Sequence, residues 1–151
     1  MTAAGRGKGW EARLNAFHDA YRRERRALVF QAHPPAGLRA KAPPDFFGVC
    51  RGRSLLFDAK STRVNRLDFG RIANHQAVDL EAHHQHGGLS FIALDLGARA
   101  FVVPWGSLSP LWWGWRERVS RQASVNRNWL WRFGVEMGPD GWIDWAEGVC
   151  K

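Results

Sequence analysis

Trp10, Leu14, Phe17 and Tyr21 recur at spacings of four, three and four. That spacing lays one apolar stripe along a helix, expected from Gly9 and closed by the charged stretch Arg22–Arg26. Residues 1–8 are small and basic and read as a frayed end. The period then changes. Ala27–Ala32 reads as a strand, and so does the run Phe46, Phe47, Val49, Cys50. An Arg51-Gly52-Arg53 turn sends the chain back through Ser54–Phe57 into Asp58-Ala59-Lys60, a β-hairpin. Before it, residues 33–44 hold four prolines and one glycine, which block helix and mark a loop. Ser61–Phe69 is polar and basic. From Gly70 to His86, Ile72, Ala73, Gln76, Ala77 and Leu80 return at helical spacing, with Gly87-Gly88 as the stop. Leu89–Leu94 and Ala100–Pro104 are core strands joined by an Asp95–Arg99 turn. Ser107 or Ser109 is the expected cap of a helix over Leu111–Val119. This order predicts an α/β domain, a mixed sheet flanked by helices.

Composition narrows the function classes. A chain of 151 residues has the length of one domain, and 45% hydrophobic residues suffice for a core. The net charge is +8, with arginine far outnumbering lysine. Such a balance points to a polyanionic partner, and the guanidinium suits phosphate geometry. No apolar run reaches 18 residues, so no membrane helix is expected. The opening residues lack the apolar core of a signal peptide, and Cys50 and Cys150 show no zinc spacing, so reduced thiols are expected.

The chemistry concentrates in the hairpin. Asp58 and Lys60 stand two apart on a strand and share a face. A hairpin can bring Asp45 beside them, giving two carboxylates and an ammonium in one pocket. Oxygen ligands of this kind suit Mg²⁺, which takes one or two carboxylates, waters and substrate phosphate. The competing reading is a charged surface hairpin. It suits Arg51 and Arg53 but not Asp58, a carboxylate after Leu-Leu-Phe that is costly to bury unless paired or metal-bound.

Other candidates have bland readings beside the functional ones. Glu11, read from helix logic, compensates a helix dipole; a further carboxylate at the metal pocket is the alternative. Arg39 and Lys41 sit either on a solvated connector or on a basic arm that touches DNA. His83, His84 and His86 suit a helix C-terminus better than a zinc site. The tryptophans suit core and interface packing better than base stacking.

Taken together, Gly9-x-Glu11, Pro44-Asp45, Asp58-Ala59-Lys60, His75-Gln76 and Gly87-Gly88-Leu89-Ser90-Phe91 resemble the PD-(D/E)xK nuclease superfamily, and within it the RecU-type Holliday junction resolvases. The similarity covers about residues 7–105 of a single nuclease domain, 1–151, and leaves 106–151 as a tryptophan-rich C-terminal extension. The resemblance implies a restriction-endonuclease-like core, a homodimer, dependence on Mg²⁺ or Mn²⁺, and symmetric cutting of four-way junction DNA. It implies that Asp45 and Asp58 are metal ligands, that Glu11 completes the pocket, and that Lys60 is the catalytic lysine. It also implies that Gln76 lines the site with Thr62 as a polar neighbour; Thr62, Arg63, Arg66, His75, Arg39 and Lys41 are the expected DNA contacts. The dimer interface is expected around Phe91, Phe101 and the tryptophans after Pro104. This chain has Asp58 where a glutamate is commoner, and a 33–44 loop shorter than the stalk expected of the bacterial resolvases. The alternatives are a duplex endonuclease of restriction or repair type, a non-catalytic DNA-structure-binding protein, and a tryptophan-rich interaction module. The expected location is cytoplasmic, at the nucleoid or in a phage-infected cell.

Overall fold

The structure, a computed structural model, describes residues 2–33, 42–137, 146, 149 and 150. Helix α1 (Ala3–Arg23) begins well before Gly9, because the Thr2 side chain accepts the amide of Gly5 at 3.1 Å and caps the first turn. Residues 3–8 are therefore helical rather than frayed. The stripe is as the spacing predicts: Trp10, Leu14, Phe17 and Tyr21 are all buried.

Strands β1 (Leu28–Gln31), β2 (Phe46–Cys50) and β3 (Arg53–Ser61) form an antiparallel meander. Arg51 and Gly52 both take positive φ, 50° and 78°, the backbone of a tight two-residue hairpin turn. Gly48 is needed in β2, since a Cβ there would run into the carbonyl of Leu28. The chain next forms the short β4 (Arg66–Asp68), a 3₁₀ turn and α2 (Asn74–Gln85). Helix α2 starts four residues later than its apolar spacing suggests, and Gly87 at φ 89° ends it as expected.

The strand β5 (Leu89–Asp95) lies parallel to β3, with Asp58 opposite Ile92. β6 (Ala100–Pro104) returns antiparallel. Helix α3 (Trp105–Arg116) follows without the expected serine cap; it starts directly after Pro104 and carries Pro110 in its interior. Then come β7 (Ser124–Asn126), α4 (Arg127–Phe133) and β8 (Val135–Glu136). The main sheet has the order β1-β2-β3-β5-β6-β8, and β4 pairs with β7 in a second, two-stranded sheet.

The side chains of β3 sort by parity. Leu55 and Phe57 point to the α1 side, in a core with Trp10, Leu14, Phe17, Tyr21, Phe46 and Phe91. Ser54 and Asp58 hydrogen-bond to α2 on the other side, where Ile92, Leu94, Phe101, Trp105, Leu108 and Trp112 make a second core. The tryptophans do mainly pack: Trp10, Trp105 and Trp112 are buried, and the Trp10 and Trp112 indoles donate to the carbonyls of Ala93 and Phe69. Phe91 and Phe101 are 1% and 0% exposed, so they sit inside the fold and are not available to a dimer interface. The segment after Trp105 is part of both sheets and the second core rather than an appendage. Cys50 and Cys150 are joined in a disulfide spanning 100 residues, with Cα atoms 6.0 Å apart, instead of the expected free thiols. Their separation in sequence hides the contact: Cys150 returns to the α1 face at the hairpin end of β2.

Candidate active site

The β2–β3 register places Phe46 opposite Phe57, so the next pair outward is Asp45 opposite Asp58. Two hydrogen bonds lock that pair. The Asp45 amide donates to Asp58 Oδ1 at 3.1 Å, and the Ala59 amide donates to Asp45 Oδ2 at 2.9 Å. Lys60, two residues along the same face, sets Nζ 2.7 Å from Asp58 Oδ2. From α2, Gln76 closes the group. Its amide donates to Asp58 Oδ1 at 3.1 Å, while its carbonyl accepts Lys60 Nζ at 3.3 Å and the Ala73 amide at 3.2 Å. One side chain thereby orients both the acid and the lysine.

The electrostatics are unbalanced. Asp58 is fully buried, and its Oδ2 is held by the lysine ammonium alone. Burial pushes the Asp45 carboxyl up to about 8, reinforced by the Asp58 charge and by the hydrogen bond with Asp58; Glu11 adds to the rise, and the Ala59 amide opposes it.

Glu11 belongs to the same field but not to the same contact set. It lies mid-helix, since α1 starts at Ala3, which removes the helix-dipole reading. Its Oε2 accepts from Gln31 Nε2 at 2.9 Å, and Gln31 Oε1 accepts from Asn15 at 2.9 Å. Gln31 ends β1, opposite Phe46 and one residue before Ala32, whose amide donates to the Asp45 carbonyl at 2.7 Å. Gln31 is the site residue that sequence reasoning missed; a polar side chain ending an apolar strand was the available signal. Among the described residues no three His, Cys, Asp or Glu side chains converge closely enough to hold a metal ion by themselves. The donor set still fits a hard cation: two adjacent carboxylates supply oxygen ligands, and once both are ionised they carry more negative charge than Lys60 offsets.

The remaining predicted residues fall at varied distances from this group. Thr62 and Arg63 line a cleft of about 310 Å³ beside the end of β3, together with Arg6, Trp10, Arg13 and Asp95. Thr62 donates its amide to the Asp95 carbonyl, and its hydroxyl accepts the amide of Val64. Arg66 is turned to Asp68, 2.7 Å away on β4. His75 is half-buried in the first turn of α2, next to Gln76. Arg39 and Lys41 lie outside the described residues. His83 does not point to zinc chemistry. It bridges Ser54 and Ser90 at 2.8 and 2.7 Å, and burial lowers its pKa.

A mixed sheet whose central hairpin ends on two acids and a lysine, with helices on both faces, is the core of a PD-(D/E)xK nuclease. The family model described as Recombination protein U matches residues 5–149. The chain belongs to that family, the RecU-type Holliday junction resolvases; the match runs through the tail that sequence reading left aside. Among solved structures, the Holliday junction resolvase Hjc of the archaeal hyperthermophile Archaeoglobus fulgidus is similar with a TM-score of 0.58 and 16% identity, over 86% of this chain and 95% of that one. This is a likeness of fold. No curated protein matches the chain.

Proposed function

We propose that the chain is a divalent-metal-dependent endonuclease that resolves four-way DNA junctions by two symmetric phosphodiester cuts, working as a homodimer. The observation that carries this reading is the Asp45–Asp58 pair with Lys60 and Gln76 bound into it. In the reaction, a water oxygen attacks the scissile phosphorus and the bond from phosphorus to the 3′ oxygen breaks. The 3′ oxygen takes a proton, leaving 3′-hydroxyl and 5′-phosphate ends.

Asp45 and Asp58 would hold Mg²⁺ or Mn²⁺, with Glu11 joining from α1 once Gln31 releases it. The metal, when bound, supplies acidification of a coordinated water and neutralisation of phosphate charge. Lys60, paired with Asp58, can orient the water and stabilise charge on the phosphate oxygens. Gln76 keeps that ammonium in place. Arg63, Arg6 and Arg13 line the adjoining cleft and supply phosphate contacts that position a strand without reading its sequence.

The partner is four-way junction DNA rather than a membrane; no helix among the described residues is long and apolar enough to cross one. The proposed location is the cytoplasm, where the Cys50–Cys150 bond must persist against a reducing thiol pool. The test is one gel: labelled junction, duplex and single strand, each with Mg²⁺ or with EDTA. Junction-selective cleavage that EDTA abolishes is the expected result. Equal cutting of duplex would favour a restriction- or repair-type enzyme, and binding without cutting a decayed site.

A further inference from the structure

Helix α3 brings the chain back to the site. Its first turn shares a cleft with Arg53, His84 and Gly88, at the hairpin end of the sheet. Its 12 residues then span about 18 Å. Helix α2 runs the opposite way, from Gln76 against Asp58 to His83 against Ser54. The contacts between the two helices follow that order. Ser109 and Trp113 donate to Glu81, and Arg116 Nε donates to Asn74 Oδ1 at 3.4 Å. Asn74 begins α2, two residues before Gln76. The turn that follows α3 therefore lies at the site end of the molecule. Its far side is tied to β4, the strand reached through Thr62 and Arg63: Arg66 pairs with Asn126, and the Phe69 amide donates to the Ala123 carbonyl at 2.8 Å.

This turn has a fixed shape and an unusual tip. The amides of Val119 and Ser120 both donate to the Gly114 carbonyl, at 2.9 and 3.0 Å, and the Arg118 amide donates to the Trp115 carbonyl at 3.1 Å. Arg118 takes the left-handed conformation, φ 60°, that ends the helix. Val119 follows it and is 82% exposed, the most exposed large apolar side chain among the described residues. Arg116, Arg118 and Arg121 surround it, all exposed, with Glu117 as the opposing charge. Among the described residues neither Arg118 nor Arg121 forms an ion pair.

We propose that the Arg116–Arg121 turn is a second DNA-contacting element, separate from the Arg6, Arg13 and Arg63 cleft. Arg118 and Arg121 hold phosphates of the arm beside the cut, and Val119 packs against base faces left uncovered where the arms part. The proposal rests on the resolvase reading, because an intact duplex keeps its base faces stacked and a branch point does not. Guanidinium groups suit phosphate oxygens. An apolar side chain between them suits the one apolar surface that DNA offers, and wedges of this kind are a known way to hold unstacked steps. The rigid backbone means that the tip is in place before the DNA arrives.

The test is binding in EDTA, which removes cleavage from the measurement. The ligands are a four-way junction carrying 2-aminopurine at the branch point, whose fluorescence rises on unstacking, and a duplex of equal length. The proteins are wild type, Val119→Ser, the double variant Arg118→Asn with Arg121→Gln, and the control Arg53→Gln from the hairpin turn. Asparagine is chosen at 118 because it tolerates the left-handed backbone. Wild type and Arg53→Gln should raise the fluorescence. Val119→Ser should lose most of that rise and bind the junction roughly 10-fold more weakly, the scale of one lost valine contact, with duplex affinity and salt dependence unchanged. The double variant should bind both ligands more weakly, with the slope of log K against log salt shallower by about 2. If the double variant unfolds, Val119→Ser carries the test, since a side chain this exposed supports no core. A fluorescence rise that survives Val119→Ser, or an unchanged slope in a folded double variant, would overturn the proposal and leave the turn to an acidic protein surface. The two readings fail separately. A wild type that cuts junctions with Mg²⁺ while the variants bind as it does removes the turn and keeps the resolvase. Binding as expected without any cutting removes the resolvase and keeps the contact.

Discussion

Asp45 and Asp58 sit opposite each other across β2 and β3, and each carboxylate accepts a backbone amide from the other's strand: Asp45 N donates to Asp58 Oδ1, and Ala59 N to Asp45 Oδ2. The backbone pairing that forms the hairpin thus also fixes the spacing of the two acids. It holds them close enough that the charge on Asp58 helps to raise the Asp45 carboxyl to about 8.

That rise makes metal-free stability depend on pH. The folded pKa lies above the unfolded value of 3.8, so the folded state binds the extra proton between 3.8 and about 8. The contribution is fully present below 3.8 and is lost as pH rises through 8. His18, packed edge-on against Phe46 and Phe57, has the opposite sign: burial lowers its pKa to about 3, so stability is lost as pH falls from 6.5 toward 3. The two slopes oppose each other below 6.5 and leave Asp45 alone above it. In EDTA, denaturant unfolding should show stability falling between pH 6.5 and 8, by at most about 1.4 kcal/mol per pH unit. Asp45→Asn should flatten that limb, and Mg²⁺ should reverse it for the wild type. A slope that survives in Asp45→Asn would remove the electrostatic account of the pair.

Gln76 touches both Asp58 and Lys60 but offers no charge. Gln76→Ala should lower kcat roughly 10- to 100-fold, the usual cost of losing a group that orients ligands. KM for junction DNA should change little. A loss confined to KM would make Gln76 a DNA contact instead.

Much of this was legible in the residues. The stripe of α1, the hairpin and the strands β5 and β6 follow directly from apolar periodicity, because each buries a regular face. Asp58 stood out as an acid within an apolar run, and the hairpin brought Asp45 to it. What periodicity could not show is long-range. Gln31 reaches Glu11 only because β1 lies under α1. Cys150 meets Cys50 across 100 residues. The tryptophan-rich tail gave no strand signal over two or three residues, yet β7 and β8 pair with strands far upstream. Phe91 and Phe101 looked available for an interface because burial on both faces of a central strand cannot be told from a half-exposed strand by composition alone.

The net charge of +8 has a measurable consequence. If about five to eight phosphates are contacted, log K for junction binding should fall with log salt at a slope of about −4 to −7. A slope near zero would mean that the arginine-lined clefts are not where DNA sits.

The disulfide lies at the far end of β2 from the site, about 17 Å from Asp45 at some 3.3 Å per residue. Reduction should therefore cost stability, on the order of 4–5 kcal/mol by loop-closure entropy for a loop of 100 residues, without changing the cleavage rate at low temperature. Thermal melts and cleavage assays with and without dithiothreitol separate the two. A rate that falls with reduction while the protein stays folded would tie the C-terminal segment to the chemistry.

The claim that matters most is that one Asp45–Asp58–Lys60 set makes one cut and two sets resolve a junction. Mixed dimers of wild type and Asp58→Asn, purified by a tag on one copy only, test it on a cruciform plasmid with Mg²⁺. Asp58→Asn homodimers should bind the junction as tightly as wild type or more so and leave it uncut. Wild-type dimers should linearise the plasmid through paired cuts at symmetric positions, and mixed dimers should stop at the nicked circle. Full linearisation by mixed dimers, or cleavage by Asp58→Asn alone at the wild-type rate, would contradict the account.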